Sequence, residues 1–430
     1  MTVNIHQEPA AGLAMEVIDR LRDEGFIAYF AGGCVRDALL DMHPKDFDVA
    51  TDATPESVRR LFGHSRTLPI GMAFGVINVL PPRARRHAFP PVEVATFRSD
   101  GTYSDGRRPD SVAFGDPRAD AVRRDFTING LFFDPVAARV IDFVGGQEDL
   151  DQGLIRAIGH ADERIEEDKL RMLRAVRFAA RFRFRLEKVT AEAIVRHAPQ
   201  IGQTSGERIG QEIRRMLSHE TGPSAIRLLG KLRLAETLMP DCLADRVADP
   251  ALGQLLHALP VPRFVTGLAA MLTWACPEER RQALQQLSHR WRLAGDEQRV
   301  IAAAMADYRH LLEADRLPWS VIQPVLAGRD AAATLELATA WQRAFPETAG
   351  PVGVAFAHER LQWPRERLDP PPLIDGKDLQ AMGWKPGPAF RHILATVRAE
   401  QLDGQLHDAA EAQRRGQEVA EQLAAGPATD

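Results

Sequence analysis

The order of hydrophobic and polar positions divides the chain into two parts of different texture. Up to about residue 143, short stretches of β-branched and aromatic residues alternate with glycine, proline and charged turns, a pattern that predicts β-strands. The clearest of these stretches are residues 26–30, 47–50, 75–80 and 92–97. We therefore expect a mixed α/β domain at the N-terminus.

After about residue 146 the apolar residues recur three or four positions apart, which is typical of amphipathic helices. Leu170, Leu173, Val176 and Ala180 form one such face. Further helices are predicted at residues 225–238, 280–291, 299–312 and 331–344. Proline clusters at 260–262 and 370–372 are predicted joints, because proline does not continue a helix.

Composition narrows the class of protein. The 430 residues predict two to four modules, and 45% hydrophobic residues exclude a wholly disordered chain. A net charge of −5 does not favour a globally basic nucleic-acid coat. Three cysteines without a CxxC pair, no signal-like N-terminus and no long apolar run predict a cytoplasmic protein in a reducing compartment, without a membrane span.

The first candidate chemistry follows a strand-like run that ends at Ala31. Gly32 and Gly33 come next, and then Arg36. Paired glycines let the backbone turn tightly and approach a bulky anion, and free amides there, with Arg36 as a bidentate donor, suit a phosphate. Two glycines alone are more typical of a plain strand–helix turn, so the interpretation depends on context.

That context is an Asp-x-Asp pair, Asp46 and Asp48, which begins nine residues after Asp37. Alternation along a strand would put both carboxylates on one face and Phe47 and Val49 on the other. Like charges so close repel each other unless a cation lies between them. Hard oxygen ligands beside a phosphate turn suit Mg²⁺-assisted nucleotidyl transfer, although an isolated Asp-x-Asp is commonly solvated surface.

The run GGCVRDALLDMHPKDFDVATDATPE, residues 32–56, resembles the signature of the class II nucleotidyltransferases, which contain bacterial tRNA CCA-adding enzymes and poly(A) polymerases. The resemblance implies an α+β head with a polymerase-β-like mixed sheet, followed by an all-helical neck, body and tail. It also implies template-independent addition of C, C and A to the 3′ end of tRNA from CTP and ATP. Two Mg²⁺ ions at Asp46 and Asp48 would be the cofactor, and Gly32, Gly33 and Arg36 would contact the triphosphate.

Two later stretches also resemble motifs of this class. Arg124 and Asp125, within RRDFTING, match a motif associated with the ribose of the incoming nucleotide. Arginine can meet phosphate or sugar, and the aspartate can accept from a 2′-hydroxyl; a salt-bridged helix start is the structural alternative. The run from residue 145 to residue 156 resembles the motif that hinges the head to the next domain.

The run EDKLR, which begins at residue 167, resembles the motif that selects the base. Asp168 and Arg171 lie three residues apart, so on a helix they would share a face. A carboxylate that accepts and a guanidinium that donates match the amine and the ring nitrogen of both cytosine and adenine. In the family such a pair selects CTP and ATP over UTP and GTP; an ordinary intrahelical ion pair is the alternative.

The same predicted helix is strongly basic. Residues 167–188 hold eight lysines or arginines and three acidic residues. By resemblance, Arg174 and Arg177 would neutralise the triphosphate or position the base, and Arg181 would face RNA phosphates. The run ERIGQEIR, from residue 207, resembles the last family motif, which we interpret as bracing the helices.

Three features of the head bear on mechanism and on the choice among relatives. Glu93 matches a third family carboxylate that would deprotonate the primer hydroxyl or adjust the metal site, with a structural role as the alternative. Residues 101–112 resemble the loop used in switching from C to A addition, which disfavours a CC-only enzyme. Residues 67–76 are apolar where poly(A) polymerases are basic. No role is assigned to an arginine-rich insertion at 81–91.

We therefore expect a catalytic head at 1–145, a helical neck at 146–220, a helical body at 221–310 and a tRNA-binding tail at 311–430. The implied partners are CTP, ATP and the acceptor and TΨC arms of tRNA, with no membrane and no stable protein partner. An A-only enzyme and a poly(A) polymerase share these motifs and stay open. A non-catalytic RNA-binding protein is the alternative from another functional class.

Overall fold

The structure, a computed structural model, describes residue 5 and residues 11–85, 89–101, 111–347 and 350–425. The chain forms two compact units. The first comprises residues 1–212 and 224–239, and the second comprises residues 213–223 and 240–430. All of the predicted catalytic and nucleotide-binding residues lie in the first unit. The finer division into head, neck, body and tail stays a prediction.

A mixed sheet is the centre of the first unit. The strands in chain order are β1 (Ala28–Ala31), β2 (Asp48–Thr51), β3 (Thr67–Leu68), β4 (Val76–Val79), β5 (Val92–Thr96), β6 (Arg98–Asp100), β7 (Val112–Phe114), β8 (Leu131–Asp134), β9 (Arg139–Asp142), β10 (Leu154–Ile155) and β11 (Arg185–Leu186). The main sheet has the order β3-β4-β5-β2-β1-β8-β9, while β6 pairs with β7 and β10 with β11. Within the main sheet β2 and β5 run parallel, and the other neighbours run antiparallel.

Burial explains why this sequence folds as a sheet. Phe30, Val49, Ile77 and Val94 come from four of its strands and are each at most 1% exposed. Aromatic and β-branched side chains fit a pleated, buried surface, and burying one such side chain contributes about 1.5–3 kcal/mol. The core thereby fixes β2 and β5, the two strands that carry candidate carboxylates.

The first three helices contact strands of this sheet, and further helices follow along the chain. Those up to residue 238 are α1 (Gly12–Asp23), α2 (Gly33–Leu39), α3 (Pro55–Phe62), α4 (Pro117–Val122), α5 (Gly146–Asp151), α6 (Ala161–Glu167), α7 (Leu170–Phe182), α8 (Lys188–His197), α9 (Gly206–Leu217), α10 (Gly222–Lys231) and α11 (Ala235–Leu238). Short 3₁₀ turns lie at residues 64–66, 72–74, 83–85, 127–129 and 198–203.

From residue 241 on, the described chain is helical. Its helices are α12 (Asp241–Ala244), α13 (Pro250–His257), α14 (Phe264–Ala275), α15 (Arg280–Trp291), α16 (Gly295–Leu312), α17 (Trp319–Ala327), α18 (Ala331–Ala344), α19 (Pro351–Leu361), α20 (Arg365–Leu368), α21 (Gly376–Ala381), α22 (Pro388–Leu402) and α23 (Ala409–Ala425). No described helix combines the length and the apolar character needed to cross a membrane.

Aromatic packing holds part of the second unit together. The ring of Trp274 stacks on Phe345 at 5.0 Å, and Trp341 stacks on Tyr308 at 5.5 Å. A separate apolar cluster joins the last helices through Leu379 and other buried residues. This unit therefore has its own core.

The helix predictions are confirmed for α15 and α18. The prediction of one helix at 225–238 is wrong, because α10 ends at Lys231 and α11 begins at Ala235. Arg233, between them, has φ 60°, and a left-handed residue does not continue a right-handed helix. The structure also pairs Cys242 with Cys276 in a disulfide, with Cα atoms 5.5 Å apart, which the widely spaced cysteines did not indicate.

Candidate nucleotide-binding and catalytic site

The turn between β1 and α2 requires glycine at residue 32. Gly32 has φ +69°, in the left-handed region that favours glycine. A Cβ there would lie 2.7 Å from Nη1 of Arg124. Gly32 therefore lets an arginine side chain pass directly against the backbone, and α2 begins at the next residue, Gly33.

Strand pairing brings two of the three candidate carboxylates side by side. In the antiparallel β1–β2 pair, Asp48 lies opposite Ala31, the residue before the glycine turn. In the parallel β2–β5 pair, Val49 lies opposite Val94, so Asp48 neighbours Glu93 on one face of the sheet. Asp48 is thus adjacent both to the turn and to Glu93.

Asp46 lies just outside β2, so the prediction that it stands on the strand is wrong. β1 ends at Ala31, opposite Asp48, and among the described residues the β1–β2 pairing does not reach Asp46. The predicted alternation of burial is nevertheless present, because Phe47 is 4% exposed and Val49 is fully buried while Asp46 is exposed. Asp46 therefore remains accessible beside the strand end.

The electrostatics of Asp48 indicate an affinity for a cation. Burial, together with the neighbouring carboxylates of Glu93 and Asp46, raises the pKa of Asp48 to about 6, and Arg124 opposes this shift. Loss of surrounding water also raises the pKa of Glu93, against the charges of Arg124 and Arg98. Carboxylates that destabilise one another in this way favour a cation between them.

The donor set fits magnesium better than a metal held by protein alone. Among the described residues, no three His, Cys, Asp or Glu side chains converge closely enough to hold an ion by themselves. Magnesium usually keeps several waters and binds through one or two carboxylates together with substrate phosphates. Asp48, with the charge of Asp46 acting on it, offers that kind of partial site.

Arg36 is 5% exposed and is held by several partners at once. It donates to Oδ1 of Asp37 and to Oδ1 of Asn129. Its guanidinium lies 4.7 Å from the ring centre of Phe182 and 5.2 Å from that of Phe178, and cation–π contacts strengthen where water is excluded. The arginine is therefore fixed in place before any nucleotide arrives.

Asp125, which follows α4, pairs with an arginine of α7. Its Oδ1 accepts from the backbone N of Phe126 at 2.8 Å and from Nδ2 of Asn129 at 2.9 Å. Its Oδ2 accepts from Nε and Nη2 of Arg174, both at 2.7 Å. Burial disfavours the charged carboxylate, yet Arg174 and these donors hold the pKa of Asp125 at about 2. The carboxylate is therefore ionised, and it holds the side chain of Arg174 in place.

Asp168 and Arg171 line one cavity but do not share a helix. Asp168 lies between α6 and α7 with an extended backbone, φ −149° and ψ 103°, so the prediction that both stand on one helix is wrong. The physical reason is local: Oδ1 of Asp168 accepts from the backbone N of Leu170 at 3.0 Å, as aspartates before a helix commonly do.

The alternative of an Asp168–Arg171 ion pair is absent from the described contacts. Oδ1 and Oδ2 of Asp168 accept from Arg208 at 3.0 and 2.7 Å. Arg171 donates to Oε2 of Glu167 at 2.6 Å and to the backbone oxygen of Arg164 at 2.9 Å. The two side chains are thus oriented by separate partners. Arg208, predicted from its motif to brace the helices, directly contacts the carboxylate that is predicted to select the base.

One cavity of about 480 Å³ collects most of the predicted residues. Its lining includes eight arginines and three aspartates, an excess of five positive charges, which suits a triphosphate. Asp46 and Glu93 are not among its lining residues. The predicted residues that line it are Gly32, Gly33, Arg36, Asp48, Arg124, Asp125, Asp168, Arg171, Arg174 and Arg177.

Sequence reasoning did not assign some lining residues to the nucleotide. Asn129 was only part of a motif, although it bridges Arg36 and Asp125. Phe178 lies four residues after Arg174, a helical spacing that puts both on one face of α7. That spacing was a usable signal. The lining residues outside the predicted nucleotide-binding set are Arg98, Arg123, Asn129, Phe178 and Arg181.

Two predictions fall wholly or partly outside the described residues. In the loop at 101–112, residues 102–110 are not described, and in the insertion at 81–91 the same holds for residues 86–88. Within the insertion, Arg85 donates to Oε1 of Glu16 at 2.6 Å, which ties it to α1.

Comparison with known proteins identifies the family. Residues 28–156 match the family model described as the poly A polymerase head domain, and residues 183–245 match the one described as a probable RNA and SrmB-binding site of polymerase A. The CCA-adding enzyme of Geobacillus kaustophilus (strain HTA426) is 33% identical over 404 residues, which cover 91% of this chain and 92% of that enzyme. The chain belongs to the family of CCA-adding enzymes and poly(A) polymerases.

Both branches of this family are among the relatives. Poly(A) polymerase I of Salmonella typhi is 40% identical over 240 residues, which cover 53% of this chain and 50% of that enzyme. The crystal structure of the Bacillus stearothermophilus CCA-adding enzyme in complex with CTP matches with a TM-score of 0.78 at 27% identity, covering 97% of this chain and 99% of that one. The Thermotoga maritima CCA-adding enzyme complexed with tRNA shares the fold, with a TM-score of 0.62 at 21% identity over 96% of this chain and 95% of that one. A mixed-sheet head followed by helices is thus confirmed as the fold of this family member.

Proposed function

We propose that this protein adds C, C and A in turn to the 3′ end of tRNA, using CTP and ATP without a template. The observation that carries the proposal is one arginine-lined cavity that joins the glycine turn, Asp48 and the Asp168–Arg171 pair. The relative that covers 91% of the chain is a CCA-adding enzyme, whereas the poly(A) polymerase match covers 53% of it. This difference favours CCA addition over polyadenylation.

In this reaction the 3′-oxygen of tRNA attacks the α-phosphorus of the nucleotide, and the bond from that phosphorus to pyrophosphate breaks. We propose Asp46 and Asp48 as ligands of two Mg²⁺ ions, which when bound would activate the hydroxyl and stabilise the departing pyrophosphate. Glu93, beside Asp48, would take the proton of the hydroxyl or adjust the metal site.

The positive wall of the cavity would hold the nucleotide. Arginine forks match phosphate oxygens in pairs, and the glycine turn lets the triphosphate approach the backbone. Arg124 and Asp125 are proposed at the sugar. The proposed triphosphate contacts are Gly32, Gly33, Arg36, Arg174 and Arg177.

Base choice is proposed to rest on Asp168 and Arg171. The carboxylate would accept from the exocyclic amine of cytosine or adenine, and the guanidinium would donate to a ring nitrogen. A good pair of such contacts is worth about 1–3 kcal/mol of discrimination against a wrong base. Because protein side chains supply both contacts, no nucleic-acid template is needed.

The helical remainder is proposed to bind the acceptor and TΨC arms of tRNA, largely by shape and phosphate contacts. We propose the division at residues 145, 220 and 310 into head, neck, body and tail for this purpose. A tRNA substrate also makes the cytoplasm the proposed compartment.

Incorporation of labelled CTP into tRNA tests the metal assignment. Asp46→Ala and Asp48→Ala are expected to abolish Mg²⁺-dependent incorporation while leaving circular dichroism unchanged. Asp151→Ala, the same change at an exposed position of α5, is the matched control and is expected to retain activity. Retained activity in either variant would contradict the assignment, and a wild-type protein that binds RNA without labelling it would favour the non-catalytic alternative.

A further inference from the structure

Asp120 is a fully buried carboxylate that the sequence motifs leave unassigned. It lies in α4 and has 0% exposure. Its Oδ1 accepts from Nε and Nη2 of Arg123 at 2.9 and 2.6 Å, and its Oδ2 accepts from Nε and Nη2 of Arg124 at 3.1 and 2.8 Å. Each oxygen thus accepts from two N–H groups of one guanidinium, and these paired, charge-assisted contacts fix the orientation of both arginines.

Of the two arginines, Arg124 bears on the proposed metal site, because its charge affects the candidate metal-binding carboxylates although it does not pair with them. Its charge opposes the raised pKa of Asp48 and of Glu93. Within the described part of the chain it forms an ion pair with Asp120 and with neither of those two carboxylates. Its Nη1 donates to the backbone oxygen of Asn129 at 3.2 Å, and its guanidinium lies 5.1 Å from the ring centre of Phe132.

An untethered arginine at this position would compete with a metal. Arg124 and Asp48 line the same cavity, and Asp48 is a partly buried carboxylate in a field of like charges, so a guanidinium within reach would bind it. Such a pair would occupy the carboxylate oxygens that a divalent ion needs. Asp120 offers Arg124 a more deeply buried carboxylate that accepts two hydrogen bonds, and Arg124 therefore pairs with Asp120.

We propose that Asp120 is a positioning residue that tethers Arg124 away from Asp48 and so keeps Asp48 available to the divalent metal. The tether uses two of the five N–H donors of Arg124, and Asn129 uses a third. Two donors are left for the bound nucleotide. This inference rests on the proposed metal site at Asp46 and Asp48.

The test is Mn²⁺ binding, measured by electron paramagnetic resonance with CTP present and RNA absent, so that no transfer occurs. Asp120→Asn frees Arg124 and is expected to weaken Mn²⁺ binding about fivefold to tenfold, the size of one competing ion pair. The double variant Asp120→Asn/Arg124→Gln also removes the competitor, and at a CTP concentration that saturates it, its Mn²⁺ affinity is expected to rise above that of Asp120→Asn. A merely structural role of Asp120 would not produce that recovery.

Two further variants separate the tether from general damage to the fold. Arg124→Lys retains Asp120 but cannot form the fork, and it is expected to weaken Mn²⁺ binding about threefold, less than Asp120→Asn does, because one contact to Asp120 survives. Asp149→Asn is the matched control: Asp149 is 4% exposed and pairs with Arg156, but it does not line the cavity. It is expected to lower the melting temperature without changing Mn²⁺ affinity.

If Asp120→Asn binds Mn²⁺ with wild-type affinity, the role of Asp120 is overturned. If Asp120→Asn does not fold, wild-type Mn²⁺ affinity in Arg124→Lys overturns it instead. A double variant that binds Mn²⁺ as weakly as Asp120→Asn would also overturn it. A wild-type protein that binds no Mn²⁺ with CTP would instead contradict the proposed metal site. Failure of the tether and failure of the proposed function therefore give different results.

Discussion

Asp48 is expected to destabilise the metal-free protein, so that Asp48→Asn raises its stability at neutral pH while abolishing nucleotide transfer. The pKa of Asp48 is about 6 in the folded protein, against about 3.9 in an unfolded chain. The folded state therefore binds this proton more tightly than the unfolded state does. Stability from this group is fully present below about pH 4 and is lost as the pH rises through 6.

The size of the effect follows from those two values. Two pH units at 1.36 kcal/mol per unit give about 3 kcal/mol at pH 7, falling to about 1.5 kcal/mol at pH 5 and about 0.5 kcal/mol at pH 4. Asp48 is partly exposed, and solvent screening makes these figures upper bounds. In a unit of this size, 3 kcal/mol corresponds to a rise in melting temperature of roughly 6–12 °C.

Thermal unfolding in EDTA, followed by calorimetry at pH 4, 5, 6 and 7, measures this difference between wild type and Asp48→Asn. Asp151→Asn, on the exposed end of α5, makes the same chemical change and is expected to leave the melting temperature unaltered at each pH. Addition of Mg²⁺ and CTP is expected to stabilise the wild type more than Asp48→Asn, because ligands that bind only the folded state stabilise it. The reasoning would be refuted if Asp48→Asn melts no higher than the wild type at pH 7, or if the difference in melting temperature does not grow with pH.

Three further predictions concern the neighbouring residues. Asp168→Ala and Arg171→Ala are expected to relax the preference for CTP and ATP over UTP and GTP, measured as ratios of kcat/KM; an unchanged preference would count against the base-edge assignment. Arg208→Gln is expected to lower the same ratios about tenfold without changing the KM for tRNA, because it removes both contacts of Arg208 to Asp168 and leaves only the backbone N of Leu170 to orient that carboxylate; a change confined to tRNA binding would argue against that role. Asp125→Asn is expected to lower the free energy of unfolding by about 3 kcal/mol in urea at pH 7, because it leaves Arg174 without its buried partner, and a loss below about 1 kcal/mol would contradict the pair. Since the pKa of Asp125 is about 2, this stabilisation is fully present above about pH 4 and is lost as the pH falls through 2.

The fold class and most cavity residues were predictable because the order of the motifs resembles that of a known family, while local periodicity predicted only the mixed and helical parts of the chain. The glycine turn before α2 and the alternation of burial around Asp48 depend on neighbouring residues in the chain. The side-by-side position of Asp48 and Glu93 could not be predicted from neighbouring residues in the chain. It depends on the register of β2 against β5 across 45 residues, which local sequence does not determine.

The spacing of Asp168 and Arg171 suits a single helix, but the local structure places Asp168 before the helix that contains Arg171. An aspartate two residues before Leu170 caps the helix instead of lying within it, so the two side chains line the same cavity without pairing with each other. Asp120 was missed for a related reason. Its spacing to Arg123 and Arg124, three and four residues on, predicts only ordinary helical ion pairs, whereas its role follows from its burial against both arginines.

The central claim is tested most directly by offering the enzyme three tRNA substrates that end at the discriminator base, at C and at CC, each with labelled CTP or ATP. The proposal predicts that CTP is incorporated twice on the first substrate and once on the second, and that ATP is then added once. Addition of A alone on the CC-ended tRNA, addition that stops after CC, or long A tails on any substrate would contradict full CCA addition.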